Sequence, residues 1–382
     1  MNHILYIPSW YPNQYDILSG VFFKEQIEGL SSVIENVGVI APVYRSFKTF
    51  NFKKNKLTFS DNAGVNTFIK ELWHLPGCNI YNRLQWFNNC KWLFENYVKT
   101  FGYPDLIHIH SIITAGQFAV YAKKKYNIPF VLTEHSSGFG RELYSKNELM
   151  SFKDEVVESS HNFAVSKSLA EVLAKSIGGN WDVLPNWVSD SFINQDKNFT
   201  KSSEKIIFFS LSSLNPLKGL NFLIDAFDNL AKEYKNVELL IGGSGAEYHN
   251  LSNQIKKLEL EDKVLLLGKL DRNAAIENYK KSTFYVSPSL VETFGIVIIE
   301  ALAMGLPVLA TNSGGPQSIL NNDVGIIVNK NSREELYKGM KYLIENDDKF
   351  DREKIVKYCI EHFSREKVSN DLINVYKKIL KS

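Results

Sequence analysis

Short apolar segments alternate with longer stretches of helical composition in the second half of the chain, and this alternation limits the possible folds most strongly. Parallel strands need long crossover connections, usually helices, whereas antiparallel strands can be joined by tight turns. The pattern therefore predicts an α/β domain in which helices cover both faces of a parallel sheet. We expect its strands at residues 206–211, 237–242, 264–268, 284–287, 307–311 and 324–328.

The first half of the chain has the same kind of alternation, so we expect a second α/β domain there. A chain of 382 residues is long enough for two separate cores. The polar composition of residues 191–204 is typical of an exposed linker. We therefore expect domains over residues 1–190 and 205–364, followed by a last helix over 365–382. In the first domain we expect strands at 4–7, 37–41, 105–110 and 163–166, and helices at 20–32, 80–101 and 167–176.

Charge and cysteine content exclude several classes of protein. A net charge of +2 argues against nucleic acid as the main partner. The three cysteines, Cys78, Cys90 and Cys359, are scattered and form no CxxC motif, which indicates free thiols in a reducing compartment. The first residues do not resemble a signal peptide, and no apolar run is long enough to span a bilayer. We expect a cytoplasmic protein that could attach to the inner face of a membrane.

Two glutamates eight positions apart, Glu292 and Glu300, lie around an expected helix start. Glu300 is the only charge within the apolar run 296–304, where an ionised carboxylate is unfavourable unless a partner satisfies it. Thr293, Phe294 and Gly295 come where the helix should begin, and helix N-termini offer free N–H groups to anions. A sugar joined to a nucleoside diphosphate would use both carboxylates and the N–H groups.

Three glycine-containing segments suggest close approach of a ligand to the backbone, although each is common in purely structural settings. Gly20 follows a strand and a loop and opens a helix, which is a geometry that binds phosphate. Lys218 precedes Gly219 at another helix start, where an ammonium suits a diphosphate. Gly243 belongs to a glycine-rich turn over 242–245 that follows a strand.

Three histidines, His108, His110 and His135, lie near the expected ends of neighbouring strands. His108 and His110 are two positions apart in a strand, so their side chains point to the same side. Such a cluster is compatible with a zinc site, with structural histidines, or with one catalytic histidine beside a sugar. The residues alone leave these three alternatives open.

Two segments of the first half suggest contact with lipid. Residues 45–56 alternate basic residues with phenylalanines and contain no acid, which suits a segment on anionic lipid. A solvated loop is the alternative. The expected helix 80–101 carries two apolar stripes, which indicate either core packing or contact with a lipid-linked acceptor.

The region around the two glutamates resembles a known family when its motifs are taken in order. The string consists of Pro288-Ser289, Glu292, Phe294-Gly295, Glu300-Ala301, Gly305, Pro307-Val308 and Gly314-Gly315. It is similar to the signature of the retaining glycosyltransferases of family 4. The resemblance implies the GT-B fold, in which two Rossmann-like α/β domains with parallel sheets face each other across a cleft. In that fold the first domain binds the acceptor, the second binds the nucleotide-sugar, and the last helix crosses back to the first domain.

The resemblance also implies roles for individual residues. Lys218 would neutralise the departing diphosphate, Glu292 would hold a sugar hydroxyl, and Glu300 would accept hydrogen bonds from ribose hydroxyls. The donor would also contact the backbone at Thr293, Phe294 and Gly295. The remaining residues that the resemblance places around the substrates are Gly20 and Gly243 near the donor phosphates and nucleotide, His110 in the sugar pocket, and His135 and Asn186 at the cleft.

The chain departs from the family pattern at two positions. Ser213 stands where the family usually has an arginine that pairs with Lys218, which leaves one cation at the diphosphate unless Lys269 or Arg272 assists. Trp187 follows Asn186 where the family usually has glycine. No Asp-x-Asp motif occurs in the chain, so no metal clamp on the diphosphate is indicated.

We therefore expect a metal-independent, retaining transfer of a hexose-type sugar from a nucleotide-sugar to a glycan or a polyprenyl-linked acceptor. The nucleotide-sugar would be a substrate, and no cofactor is expected. Assembly of bacterial surface polysaccharide is the process that such an acceptor suggests. Two alternatives stay open: a sugar-nucleotide epimerase of the same fold, and an inactive paralogue that binds nucleotide-sugar, which the serine at position 213 would favour.

Overall fold

The computed structural model describes residues 3–14, 19–45, 57–196 and 205–381. The chain forms two compact units. The first comprises Met1–Leu184 together with Ser369–Ser382, and the second comprises Pro185–Val368. The division therefore falls at Leu184 and Pro185, a few residues before the polar segment in which we expected it.

The first unit is built on a sheet of eight strands. The strands are β1 (His3–Pro8), β2 (Asn36–Arg45), β3 (Leu57–Asn62), β4 (Val65–Trp73), β5 (Leu106–His110), β6 (Phe130–Glu134), β7 (His161–Ala164) and β8 (Asp182–Val183). Their order is β3-β4-β2-β1-β5-β6-β7-β8, and only β3 and β4 pair in the antiparallel sense. Every residue of β1, β5 and β6 is buried, as expected of central parallel strands with both faces covered.

Helices connect the strands of the first unit. They are α1 (Val21–Leu30), α2 (Asn79–Phe101), α3 (Ile112–Tyr126), α4 (Lys146–Glu158) and α5 (Lys167–Ile177). Serine side chains fix two of the helix starts: Ser145 forms a capping box with Glu148, and the Ser166 hydroxyl accepts from the Leu169 N–H. Such caps satisfy N–H groups that the helix itself leaves unpaired.

The second unit contains six parallel strands in the order β11-β10-β9-β12-β13-β14. These strands are β9 (Ile206–Leu211), β10 (Val237–Gly242), β11 (Val264–Gly268), β12 (Phe284–Ser287), β13 (Val308–Thr311) and β14 (Gly325–Val328). The helices are α6 (Asp190–Ile193), α7 (Leu220–Glu233), α8 (Tyr248–Lys257), α9 (Arg272–Lys281), α10 (Ile296–Ala303), α11 (Arg333–Glu345), α12 (Arg352–Phe363) and α13 (Arg365–Ile379), of which α13 passes into the first unit at Ser369. The alternation predicted from the sequence is confirmed.

Several local expectations differ from the structure. The expected linker begins with the single helical turn α6, which buries Phe192, and residues 197–204 lie outside the described part of the chain. Residues 46–56 of the basic aromatic segment also lie outside it. Its first residue, Arg45, is buried and pairs with Glu71 at 2.7 Å, so Arg45 does not face lipid.

The two apolar stripes of the long helix α2 are buried to different extents. Trp86, Cys90, Leu93 and Tyr97 are buried, whereas Ile80 and Leu84 near its start are exposed. Core packing, the first of the two alternatives, therefore applies to the face that carries Trp86. The three cysteines are free thiols, as the sequence indicated. Among the described residues, no helix is both long and apolar enough to cross a bilayer.

Candidate active site

Lys218 and Glu292 form a direct ion pair in the second unit, although they are far apart in the sequence. The Lys218 Nζ lies 2.6 Å from the Glu292 Oε2, and both side chains are partly exposed, at 22% and 15%. In this structure the proposed leaving-group cation and the proposed sugar-binding carboxylate therefore neutralise each other. A ligand that separates them must offer each an equivalent partner.

The backbone around Lys218 explains how the pair is formed. Lys218 ends a short 3₁₀ turn, and Gly219 adopts a left-handed conformation with φ 62°. A Cβ at Gly219 would lie 2.2 Å from the Pro288 carbonyl oxygen, so only glycine permits this approach to the loop that carries Glu292. The Leu290 N–H donates to the Leu217 carbonyl at 2.8 Å and joins the two segments.

The segment between the two glutamates is held by backbone hydrogen bonds on both sides of Glu292. The Glu292 N–H donates to the Ser313 carbonyl at 3.0 Å, and the Gly315 N–H donates to the Glu292 carbonyl at 2.7 Å. Gly295 precedes α10 with φ 107°. Within the described part of the chain, the N–H groups of Thr293, Phe294 and Gly295 have no backbone acceptor. These groups lie at a helix start, where an anion is favoured.

Glu300 is partly buried on α10. The Tyr279 hydroxyl donates to the Glu300 Oε2 at 3.1 Å and lies 3.0 Å from the Val297 carbonyl oxygen. Burial raises the pKa of Tyr279 well above its usual value, so the hydroxyl stays protonated and able to donate. Tyr279 is a site residue that the sequence reasoning missed, because it lies on α9 and belongs to no motif near Glu300.

The glycine-rich turn after β10 packs closely against the neighbouring loop that follows β9. Gly243 has φ 134°, and a Cβ there would lie 1.8 Å from the Ser212 carbonyl oxygen. The Gly243 N–H already donates to the Gly268 carbonyl at 2.7 Å. Ser213 in the adjoining loop is exposed and accepts a hydrogen bond from the Asn215 amide at 2.8 Å. Gly243 therefore has a structural role, because it allows these two loops to lie close together.

His110 and His135 lie side by side at the ends of β5 and β6 in the first unit. The His110 Nδ1 is 3.1 Å from the His135 Nε2, and both side chains are buried. The Phe23 ring of α1 packs against both imidazoles, with centroids 4.8 Å apart in each case. Gly20 precedes α1 with φ 71°, and a Cβ there would meet Phe23 and Trp10 at 3.0 Å.

Burial lowers the pKa of His110 to about 3 and the pKa of His135 well below its usual value. Both imidazoles are therefore neutral near pH 7. A neutral histidine carries one N–H donor and one nitrogen acceptor, and the His135 Nδ1 has no hydrogen-bond partner within the described part of the chain. The pair is suited to hydrogen bonding with an uncharged group.

His108 is enclosed by protein side chains. Its Nε2 lies 2.8 Å from the Thr133 Oγ1, and its Nδ1 bonds to the hydroxyl of Tyr376 in α13. The Tyr376 hydroxyl is also 3.0 Å from the Tyr6 hydroxyl. Of the three alternatives for the histidines, the structural one applies to His108. No group of three or more His, Cys, Asp or Glu residues suited to a metal occurs among the described residues.

The sequence reasoning also missed Glu134, which organises the turn beside His110. It is completely buried and accepts from the N–H groups of Ile112, His135 and Ser136 at 2.7–2.9 Å. Burial raises its pKa, and these hydrogen bonds oppose that shift. Asn186, the remaining predicted residue, is buried at the beginning of the second unit.

Two family models match successive parts of the chain. The model described as Glycosyltransferase Family 4 matches residues 61–192, and the model described as Glycosyl transferases group 1 matches residues 191–380. The second range contains Lys218, Glu292 and Glu300.

Known proteins match over most of the chain. A Methanocaldococcus jannaschii glycosyltransferase, MJ1607, is 31% identical over 72% of this chain and 75% of its own length. A Bacillus subtilis glycosyltransferase, TuaC, assigned to teichuronic acid biosynthesis, is 26% identical over 87% of each chain. The solved structure of Anabaena Alr3699/HepE in complex with UDP and glucose has a TM-score of 0.73 at 19% identity and covers 99% of this chain and 100% of its own.

Proposed function

The chain belongs to the group 1 glycosyltransferases and has the GT-B fold, and we propose that it transfers a hexose-type sugar from a nucleotide-sugar with retention of configuration. The observation that carries this proposal is the Lys218–Glu292 ion pair beside the start of α10, with Glu300 on the same helix. These groups together offer a cation, two carboxylates and free N–H groups. A nucleotide-sugar presents the complementary set: a diphosphate, sugar hydroxyls and ribose hydroxyls.

In the proposed reaction the donor replaces each partner of the ion pair. The diphosphate takes the place of the Glu292 carboxylate at Lys218, and a sugar hydroxyl takes the place of the Lys218 ammonium at Glu292. The N–H groups of Thr293, Phe294 and Gly295 and the α10 dipole add to the stabilisation of negative charge. Glu300, held by Tyr279, accepts hydrogen bonds from the ribose.

The chemical step breaks the bond between the anomeric carbon and the diphosphate oxygen. A bond to an acceptor hydroxyl oxygen forms on the same face of the sugar, and the acceptor proton passes to the leaving phosphate. Lys218 stabilises the charge that develops on that phosphate, as a metal would in other transferases. In the first unit, His110 and His135 are neutral groups that can form hydrogen bonds with a sugar hydroxyl.

We propose a glycan or a polyprenyl-linked glycan as the acceptor, and assembly of surface polysaccharide as the process. The support is the similarity to TuaC, which is assigned to teichuronic acid biosynthesis. The complex of the Anabaena protein with UDP and glucose supports a nucleotide-sugar donor. The three free cysteines are typical of a reducing compartment and support a cytoplasmic location.

The donor can be tested before an acceptor is known. The purified protein is heated with UDP-, GDP- and ADP-sugars in turn, and a bound donor raises the melting temperature by mass action. A donor that stabilises the protein is then incubated with it alone and with membrane extracts. Release of nucleoside diphosphate with a new glycoside supports transfer, an epimeric nucleotide-sugar identifies an epimerase, and no stabilisation by any donor contradicts the proposal.

A further inference from the structure

Two cavities that share lining residues lie between α2, α3 and α4 of the first unit. Their volumes are about 440 Å³ and about 190 Å³, and Gln117, Ser151 and Glu155 line both. None of the residues discussed above as donor site or histidine pair lines them. Together they form one recess, called here the α3–α4 recess, of a size that accepts a small ligand.

Glu155 lines both cavities, and the described residues satisfy only one of its two carboxylate oxygens. Glu155 is only 7% exposed. Its Oε1 accepts from the Ser151 hydroxyl at 3.0 Å, whereas its Oε2 is buried and has no hydrogen-bond partner within the described residues. Buried carboxylate oxygens are almost always paired, so the bare Oε2 requires a reason.

A glycine in the middle of α3 makes room for this carboxylate. A Cβ at Gly116 would lie 2.1 Å from the Glu155 Oε2, so no other residue fits while the carboxylate keeps its position. Glycine in a helix interior is unfavourable because it restricts a flexible backbone. Gly116 therefore makes α3 less stable at the position where the unpaired oxygen lies.

The charges around the recess do not suit an anionic ligand. Arg83 pairs with Glu148 at 2.6 Å, and Lys124 pairs with Glu158 at 3.1 Å, so the cations of the lining are already neutralised. Asp154 beside Glu155 is exposed and adds negative charge. A phosphate or sulfate would find no free cation in this lining.

A hydroxyl group fits the Glu155 carboxyl better than an ammonium does. Burial raises the pKa of Glu155, the Ser151 hydrogen bond and the Arg83 charge oppose this shift, Asp154 adds a small increase, and the resulting pKa is about 7. Both protonation states are therefore populated near neutral pH. A hydroxyl can donate to the ionised form and accept from the protonated form, whereas an ammonium can only donate to the ionised form.

The edge of the recess adds apolar surface. Ile80, Leu84 and Val157 line it and are 80%, 54% and 75% exposed. A sugar ring presents C–H faces as well as hydroxyls, so this mixture of apolar side chains and a buried carboxyl matches it. The smaller cavity is also lined by Ile113 and Thr114 in the first turn of α3, which follows His110 after one intervening residue.

We propose that the α3–α4 recess binds a neutral saccharide unit of the acceptor glycan, with one of its hydroxyls bonded to Glu155. Only the identification of this saccharide as part of the acceptor rests on the proposed function. Saccharide binding at the recess itself needs neither a donor nor transfer. The recess would hold the acceptor chain on the first unit, and its smaller cavity lies at the first turn of α3, just after the end of β5.

The test is ligand-observed NMR of the full chain with maltose, cellobiose, lactose and N,N′-diacetylchitobiose, without donor. We expect at least one disaccharide to bind wild type, and Glu155→Leu to weaken that binding at least tenfold. Gly116→Ala should also weaken it, because the new methyl group displaces the Glu155 carboxylate from its position. Glu95→Gln, an exposed carboxylate on α2, is the matched control and should bind like wild type.

Circular dichroism and melting curves show whether each variant is folded, and Glu155→Gln keeps the shape of the side chain if Glu155→Leu does not fold. Glucosamine and inorganic phosphate serve as competitors. Binding of no disaccharide, equal binding by Glu155→Leu, or binding of phosphate in preference to disaccharide would overturn the inference. Affinity that rises steeply from pH 6 to pH 8 for glucosamine alone would identify an ammonium site instead. Donor stabilisation, measured separately, decides the proposed function without affecting this result.

Discussion

The two groups of candidate site residues solve the problem of placing polar side chains inside a protein in opposite ways. In the second unit, Lys218 and Glu292 form an ion pair at 2.6 Å and remain partly exposed. In the first unit, His110 and His135 are buried against Phe23 and have lost their charge, because burial lowers the pKa of both imidazoles. A charge is retained where a partner and water are near, and it is lost where neither is available.

This contrast matches the parts of the proposed reaction. A departing diphosphate develops negative charge and needs a cation beside it, which the second unit supplies through Lys218. A sugar is uncharged, and neutral imidazoles can bond to its hydroxyls without attracting a competing anion. The difference can be tested by removing charge from one group and imposing charge on the other.

Removal of the cation in the second unit should have the largest effect. Lys218→Ala is expected to reduce turnover about a hundredfold, because the leaving phosphate loses its charged partner. The measurement is the initial rate of nucleoside diphosphate release at saturating donor. Lys232→Ala on α7, an exposed lysine paired with Asp228, is the matched control and should retain the wild-type rate. A wild-type rate for Lys218→Ala would remove Lys218 from the site.

Protonation of the buried histidines in the first unit should have the second largest effect, and this effect is on stability. Since the pKa of His110 is about 3 in the folded protein and that of an ordinary histidine is 6.5, its contribution to stability is fully present above pH 6.5 and is lost as the pH falls toward 3. When the pH falls from 7 to 5, the lowered pKa of His110 alone should reduce the free energy of unfolding by about 2 kcal/mol.

Denaturant unfolding of wild type and His110→Gln at both pH values measures this contribution. The substitution removes the titrating group and keeps a hydrogen-bonding side chain, so the pH dependence should be smaller in the variant. His362 on α12 is exposed and lies outside this cluster, so His362→Gln is the matched control. An equal loss of stability in wild type and His110→Gln would show that His110 is not held neutral in the folded state.

Loss of the hydroxyl that supports Glu300 should have a smaller effect. Tyr279→Phe removes the 3.1 Å hydrogen bond to Glu300 and leaves the ring in place. A bond to a charged acceptor is worth about 1.5 kcal/mol, so the KM for donor should rise roughly tenfold with little change in kcat. Tyr337→Phe on α11 is the matched control, because the Tyr337 hydroxyl donates to the Glu233 carboxylate at 2.6 Å and has no bond to Glu300 among the described contacts. A fall in kcat with an unchanged KM would contradict the assignment of Glu300 to donor binding.

Addition of a second cation to the second unit should have the smallest effect. Ser213 is exposed, so Ser213→Arg can be accommodated without disturbing the core. An exposed ion pair contributes up to about 1 kcal/mol, and donor affinity should rise no more than about fivefold at low salt. Titration of donor at low and high salt checks both the gain and its screening. An unchanged affinity at low salt would mean that position 213 lies away from the diphosphate.

The sequence predicted most of the fold because secondary structure depends on local patterns. The strands 206–211, 237–242 and 264–268 agree with β9, β10 and β11 residue for residue. The expected helix 80–101 differs from α2 by one residue. Prediction was weaker for β3 and β4, which the sequence did not lead us to expect, and for the turn α6, which falls in a segment whose polar composition indicated a linker.

The candidate site was predictable only in part. The ordered motifs pointed to Glu292 and Glu300 as candidates because their spacing along the chain is distinctive, and the family resemblance added Lys218. Tyr279 and Glu134 could not be found in the same way, since each acts through a hydrogen bond to a residue on another segment. The apolar composition of α10 suggested that Glu300 is buried, but a helix presents several faces and Glu300 lies on one that is only partly covered.

The sequence by itself determined the two α/β units, the glycine positions and the family, because periodicity, backbone conformation and motif order are properties of the chain. Only the tertiary structure decided which charges meet and which are lost. Lys218 pairs with Glu292 because Gly219 allows their two loops to approach closely. The buried histidines are neutral because burial lowers their pKa. The Glu155 Oε2, beside Gly116, has no hydrogen-bond partner among the described residues. The physical reason is that charge state depends on the surroundings in space, and those surroundings come from distant parts of the chain.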